Sequence, residues 1–379
     1  MMNLRSKLPE VGTTIFTQMS QLANEYNAIN LSQGFPNFSI AKELEDLTSN
    51  LVKENVHQYV PMMGYDPLRI EVAKKIELHY GRKLDYKEQV LITAGATQAI
   101  FTAIQALVHS GDEVVVIDPA YDCYAPAVEL MGAAPVHINM EKDFSVDWNK
   151  IENAVNDKTR MLIINNPHNP SGAVFSEDDI LAIETIMEKY PELLLLSDEV
   201  YEFIHFDKPF ISINTRDKIR ERSIVTSSFG KTFHVTGWKI GYLVAPTYIM
   251  EEIKKVHQYV VFCVNSVSQI ALAKYLPTVD LSLLGSFYKK KKDFFVSEMA
   301  RSKFKLLPSY GSYFVNADYS AISDMDDVSF SKWLTKEKGV AVIPTSVFNK
   351  NKRDDKVIRF CFAKTEETLK QATDLLCKI

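Results

Sequence analysis

The sequence predicts an α/β fold: a large domain with a mostly parallel central sheet flanked by helices, plus a smaller α/β domain built from both chain ends. Three observations carry this. Short apolar runs alternate with longer amphipathic stretches through the middle of the chain. The runs are bounded by Gly, Pro, Asp or Asn, as buried strands are. The two ends read differently, with one helical pattern and an irregular segment at the start and a long basic helix, short strands and a closing helix at the close. Strand–helix alternation favours parallel pairing, because each crossover helix returns the chain to the same edge and covers a sheet face.

Taken in order, residues 1–45 hold one helical pattern, about Ile15 to Tyr26, and then an irregular SQGFPNF segment. The runs VLIT (90–93), EVVVID (113–118), RMLIINN (160–166), LLLLSDE (193–199), SIVTSSF (223–229) and GYLVA (241–245) read as the buried strands. Helical patterns lie between them, for example Thr97 to His109 and Ser176 to Tyr190. From about residue 280 come a long basic helix (FYKKKKDFFVSEMA), the short strands GSYFVNA, VAVIP and VIRFCFA, and a closing helix. The expected division is 46–275 for the large domain, and 1–45 with 276–379 for the small one.

Composition narrows the function. Of the 379 residues, 46% are hydrophobic and 24% charged, which is ordinary for a soluble globular chain. The formal net charge of −5 argues against a nucleic-acid partner, whose footprint is a basic excess. No apolar run approaches the ~18 residues of a membrane span. The opening MMNLRSKLPE lacks the apolar stretch of a secretory signal. The cysteines, Cys123, Cys263, Cys361 and Cys377, form no CxxC pair, and the histidines form no metal-binding cluster. A cytoplasmic, metal-free protein is expected, without membrane or nucleic-acid contacts.

In open parallel sheets, ligands bind beyond the carboxyl ends of the strands. The residues there form a set. After VLIT come Gly95, Ala96 and Thr97, opening a helix. Tyr121 follows EVVVID, and Asn169 follows RMLIINN. LLLLSDEVY ends in Asp198 and Tyr201, and SIVTSSF leads to Gly230 and Lys231. Free N–H groups at Ala96 and Thr97 suit a phosphate at a helix start. Ser228 adds a hydroxyl and Lys239 a cation. A carboxylate at Asp198 needs a cationic partner, and a protonated pyridine nitrogen serves. A lone lysine after a strand is usually a solvated surface residue. The conjunction is what counts: an Asp for a ring nitrogen, a Lys for an aldehyde and a helix start for a phosphate are the parts of a pyridoxal 5′-phosphate site.

The segments AGAT (94–97), NNPHNPSG (165–172), SDEVYE (197–202), SSFGKTFHVTGWKIGY (227–242) and IRFCFA (358–363) resemble the class I/II aminotransferases of pyridoxal-phosphate fold type I. The resemblance spans nearly the whole chain, in family order. It implies that Lys231 is the Schiff-base lysine, that Asp198 holds the pyridine nitrogen and that Tyr201 meets the ring oxygen. It further implies Tyr121 stacked on the ring and Asn169 touching ring oxygen and substrate. Arg359 would clamp the substrate α-carboxylate, helped by the backbone at Gly34. Ala96, Thr97, Ser228 and Lys239 would hold the phosphate. Tyr59 and the region of Phe262 would reach the neighbouring subunit's site, which implies a homodimer. Two departures stand out. Lys239 occupies a place where many relatives have Arg, and a lysine is a point charge rather than a fork. Ala96 replaces a Ser or Gly.

GTTIFTQMS, LSQGFPNF, HQYVPMMG, DPAYDCYAPA, VHQYVVFCVNSVSQ and VAVIPTSVF are similar to the kynurenine/glutamine aminotransferase-like branch, and within it to bacterial methionine aminotransferases. Phe16, Tyr59, Tyr121, Phe262 and Cys263 are the candidate side-chain pocket, apolar as such pockets usually are. No second arginine for a dicarboxylate side chain is evident. The expectation is transfer of an amino group from methionine, or an aromatic or other apolar amino acid, to a 2-oxo acid. The alternative is a kynurenine/glutamine–oxo-acid aminotransferase with cysteine S-conjugate β-lyase activity. Lysine ordinarily ionises near 10.4, so Lys231 must be depressed to act as a base near neutrality.

Overall fold

A computed structural model describes residues 4–379. Met1, Met2 and Asn3, which open the segment read against a secretory signal, lie outside the described residues. The chain is α/β, as expected. Its main sheet has seven strands: β1 (Val90–Thr93), β2 (Glu113–Asp118), β3 (Ala134–Asn139), β4 (Thr159–Asn165), β5 (Leu194–Asp198), β6 (Ser223–Ser228) and β7 (Gly241–Val244). Their spatial order is β1-β7-β6-β5-β4-β2-β3. All pairings are parallel except those of β7, which runs against both β1 and β6.

Period-two alternation builds the layers. Val114, Val116, Met161, Ile163, Leu194 and Leu196 face one way, toward the helices Gly95–Leu107 and Thr247–Val260. Val115, Ile117, Leu162, Ile164 and Leu195 face the other, toward the helix Glu177–Lys189. These strands, β2, β4 and β5, are covered on both faces, which is why each reads as a continuous apolar run. Burying one such side chain contributes roughly 1.5–3 kcal/mol before entropy is counted.

β3 has no counterpart among the runs expected from the sequence. This strand lies at the sheet edge and is only partly buried, so its residues APVHIN carry a weak apolar signal. The helix after β1 begins at Gly95, two residues before its expected start. Gly95 takes φ +78°, a left-handed turn that suits glycine, and this lets the strand run straight into the helix. The helix Glu177–Lys189 starts on a reciprocal capping box between Ser176 and Asp179.

A second core lies beyond the carboxyl ends of the main strands. It packs around an antiparallel sheet of order β10-β11-β9-β8, where β8 is Lys305–Leu306, β9 Phe314–Asp318, β10 Ile343–Pro344 and β11 Val357–Cys361. Phe295, Phe330, Phe360 and Leu369 fill it, and Leu31 joins from the other chain end. Ile29–Asn30 pairs in parallel with Val340–Ala341, which ties the two ends together. Val200 and Tyr201, just past β5, are buried in this same core. The main sheet's strand ends therefore face the second core across a cleft. Among the described residues, no helix is long and apolar enough to cross a membrane.

Candidate active site

The cleft holds a cavity of about 340 Å³. Phe16, Gly34, Ala96, Thr97, Tyr121, Asn169, Asp198, Tyr201, Ser228, Lys231, Lys239 and Arg359 all line it. Residues spread over most of the sequence thus meet at one place. Tyr59 and Phe262 do not line it: they stack edge to face at 5.4 Å on the surface, with Tyr59 81% exposed. Cys263, beside Phe262, is outside the cavity as well.

One end of the cavity suits an anion. The helix Gly95–Leu107 opens there, so the N–H groups of Ala96 and Thr97 have no intrahelical partner. Ser228 ends β6, and Lys239, held at φ +51°, brings a cation. The backbone is close-packed at this end: a Cβ on Gly241 would lie 2.5 Å from the Ser227 carbonyl and 3.2 Å from the Ala96 nitrogen. Any larger residue at 241 would push the donors out of line.

The middle suits a cation and an aldehyde. Asp198 ends β5 and is buried. Burial pushes its carboxyl up to about 6, opposed by hydrogen bonds from the Tyr124 hydroxyl and the Val200 N–H. The Tyr124 hydroxyl donates to Oδ2 at 2.7 Å, and Val200 N–H to Oδ1 at 3.3 Å. The neighbourhood is braced by Asn165, whose amide donates to the Asp198 carbonyl at 2.8 Å and accepts from the Asn169 N–H at 2.8 Å. Lys231 lies in the short helix Phe229–Thr232 that follows β6. Burial pushes its ammonium down to about 8, with Arg359 and Lys239 lowering it further and Cys361 and Asp198 opposing. Its Nζ donates to the Tyr313 hydroxyl at 2.8 Å and to the Gly34 carbonyl at 3.2 Å. Tyr201 packs edge to face on Tyr313, with centroids 5.1 Å apart, and burial raises its phenol far above the ordinary value.

The far end suits a second anion. Arg359, on β11, is fully buried. Its Nη1 donates to Asn169 Oδ1 at 2.7 Å and its Nη2 to the Ser32 carbonyl at 3.0 Å, while its Nε has no partner. The guanidinium carbon sits 3.8 Å from the Phe314 ring centroid, with Phe16 and Phe348 farther out. Burial pushes Arg359 down to about 10. A buried cation with an unused donor calls for a carboxylate.

Three residues absent from the sequence reading touch this machinery: Tyr124, Tyr313 and Lys364. Lys364 is buried, and its Nζ donates to the carbonyls of Gln33 at 3.3 Å and Phe35 at 2.7 Å. The four consecutive carbonyls from Ser32 to Phe35 are thereby all held by basic side chains. A tyrosine three residues after Tyr121 and a lysine directly after an apolar strand were the only signals available.

The fold and this site define a member of a known family: the chain belongs to the class I and II aminotransferases, whose family profile matches residues 26–376. The family expected from the sequence is the one found. Within it, the chain is 46% identical to the methionine aminotransferase of Escherichia coli K12, over 98% of this chain and 97% of that one. The solved structure of YbdL from Escherichia coli, described as having a methionine aminotransferase function, superposes with a TM-score of 0.97 at 45% identity, over the full length of both chains. Human kynurenine–oxoglutarate transaminase 1 is 31% identical over 96% of this chain and 95% of its own length.

Proposed function

We propose that this aminotransferase uses pyridoxal 5′-phosphate to move the amino group of methionine, or another apolar amino acid, to a 2-oxo acid. One observation carries the reading: a single cavity joins a buried carboxylate at Asp198, an amine at Lys231 and the buried guanidinium of Arg359. The donor set fits the cofactor's parts in order. Ala96, Thr97, Ser228 and Lys239 take the phosphate, Asp198 the protonated ring nitrogen, and Tyr201 with Asn169 the ring oxygen. Tyr121, which lines the cavity, would lie against the ring. When bound, the cofactor supplies an electron sink for the bond broken at the substrate α-carbon.

The chain's own residues do the rest. Asp198 keeps a proton on the ring nitrogen by offering it a charge in a dry site. Lys231 would hold the cofactor through its Nζ. When free, its Nζ would take up and give back the substrate's α-proton, a task its lowered basicity allows near neutral pH. Arg359 and Asn169 fix the substrate carboxylate. Phe16, Tyr121 and Ile100 offer an apolar lining to the side chain, and among the described residues that line the cavity there is no second arginine. That favours methionine over aspartate, in line with the name of the Escherichia coli relative.

The exposed pair Tyr59 and Phe262 supports a homodimer in which these rings complete the neighbouring site. The reading also takes 46–275 as the cofactor-binding domain, 1–45 with 276–379 as the small domain, and the cytoplasm as the location. A panel of amino donors against several 2-oxo acids tests the substrate. Methionine should lead, with its 2-oxo acid as product; aspartate far ahead of methionine overturns the preference.

A further inference from the structure

Tyr313 has no part in the scheme above, yet it touches the reacting amine. It lies one residue before β9, wholly buried against Tyr201 and Phe314. Its hydroxyl donates to the Gly34 carbonyl at 2.5 Å and accepts from Lys231 Nζ at 2.8 Å. The same carbonyl accepts from Nζ at 3.2 Å. The phenol's one proton is committed to Gly34, so toward Lys231 it presents only lone pairs. Two acceptors therefore face the amine. They occupy both N–H bonds of a neutral amine and leave its lone pair free.

We propose that Tyr313 is a further catalytic residue of the transamination: with the Gly34 carbonyl, its hydroxyl receives the amine of Lys231 whenever that amine is not bonded to the cofactor, and keeps its lone pair available to take a proton. The proposal rests on the reading of Lys231 as the attachment point. In the step it serves, the α-carbon–hydrogen bond breaks and its electron pair stays with the carbon. The proton forms a new bond at Nζ and later leaves for the cofactor carbon. Tyr313 keeps its own proton throughout, on Gly34. Without the hydroxyl, the four-carbon stem has one anchor instead of two, and the amine spends less time in line. The other titratable groups facing Nζ are Asp198, Tyr201, Arg359, Lys239 and Cys361, and none of them forms a hydrogen bond to it.

Tyr313→Phe keeps the ring and removes the hydroxyl. In the full-length apoenzyme, acetic anhydride labelling of Lys231 is followed against pH by peptide mass spectrometry. Loss of an acceptor that favours the ammonium form should move the midpoint down by about half a unit or more. In the loaded enzyme, an α-deuterated donor should show a larger isotope effect, with kcat down about tenfold and KM within about twofold. An unchanged midpoint, or an isotope effect equal to that of the unaltered enzyme, overturns the proposal. Tyr288→Phe is the packing control, since its buried hydroxyl has no partner and its ring lies 5.7 Å from that of Tyr313. It should move neither readout; the same shifts there would also overturn the proposal. Should Tyr313→Phe not fold, 3-fluorotyrosine at 313, a weaker acceptor, should shift the midpoint in the same direction. Borohydride reduction of the loaded enzyme separately locates the cofactor-bearing lysine. A label elsewhere would defeat the reading of Lys231 rather than the role of Tyr313.

Discussion

The Tyr124 hydroxyl donates to Asp198 Oδ2 at 2.7 Å, and both side chains are buried. This bond favours the carboxylate over the acid at a site where burial pushes the other way. A charged Asp198 is what a protonated ring nitrogen needs. Hydrogen bonds to charged groups contribute about 1.5–3 kcal/mol each. Tyr124→Phe should therefore weaken pyridoxal 5′-phosphate binding by about tenfold or more, while the fold, which keeps the ring, stays intact. An absorbance titration of the apoenzyme checks this. Unaltered affinity would show that Tyr124 only fills space.

Lys364 grips the segment that carries Gly34. Its two hydrogen bonds end on carbonyls either side of Gly34, while Arg359 holds the carbonyl of Ser32. Lys364→Met keeps most of the apolar stem and removes the cation. The segment should loosen at the substrate end of the cavity, raising KM for the amino donor about tenfold and leaving the cofactor's affinity nearly unchanged, since the phosphate end is untouched. Steady-state kinetics beside a cofactor titration separates the two. Equal losses in both would refute the localised role.

Behind the site, Glu202 gathers a buried network. It accepts from Lys75 Nζ at 2.8 Å, Tyr242 at 2.6 Å, and Ser227 and Tyr80 at 2.5 Å each. Glu202 follows Tyr201, Ser227 precedes Ser228, and Tyr242 lies on β7 just past Lys239, so one carboxylate braces three segments that line the cavity. Removing one partner of a buried pair strands the other's charge and costs about 3–5 kcal/mol. Lys75→Met should lower stability by that order in urea unfolding. Adding Glu202→Gln removes the stranded charge and should recover part of the loss. A double variant no better than the single would mean that packing, not charge, is at stake.

Much of this was legible in the sequence, for a physical reason. Strands buried on both faces announce themselves as apolar runs, and strand ends mark where a ligand must sit. Asp198 and Lys231 could be read because polar groups at the ends of such runs need a purpose, whereas Arg359, in the middle of β11, was reached through the family resemblance alone. β3 was not legible, since an edge strand needs no continuous apolar run. Tyr313 and Tyr124 were not legible either. A buried tyrosine looks like core until its hydroxyl partner is known, and those partners, Gly34 and Asp198, lie far away in sequence. Lys364 was hidden likewise: its partners lie at the opposite chain end. Tyr59 and Phe262 show the converse limit, because a single chain gives their rings no site to fill.

Glu199 and Glu202 sit three residues apart, both buried, and differ in their partners. Glu202 has Lys75, and its carboxyl falls below the ordinary range despite burial. Glu199 has only neutral partners, the hydroxyls of Ser197 and Ser212 and the N–H of Ile213. Burial, with Glu202 adding repulsion, pushes Glu199 up from 4.5 to about 7. A raised carboxyl favours folding only while it is protonated. Between the unfolded and folded values, the folded chain holds a proton that the unfolded chain has released, so stability falls as pH rises through that window. A Gln at 199 mimics the protonated acid at every pH: its carbonyl can accept from Ser197 and Ile213, and its amide can donate to Ser212. Glu199→Gln should thus match the unaltered protein below the unfolded value and exceed it above the folded one. The limiting gain is about 3 kcal/mol. Denaturant midpoints at about pH 5 and about pH 8 read the gap directly, and it should widen with pH. A gap that is constant, or that narrows, would mean Glu199 is charged in the fold and that a cation beyond its hydrogen-bond partners holds it so.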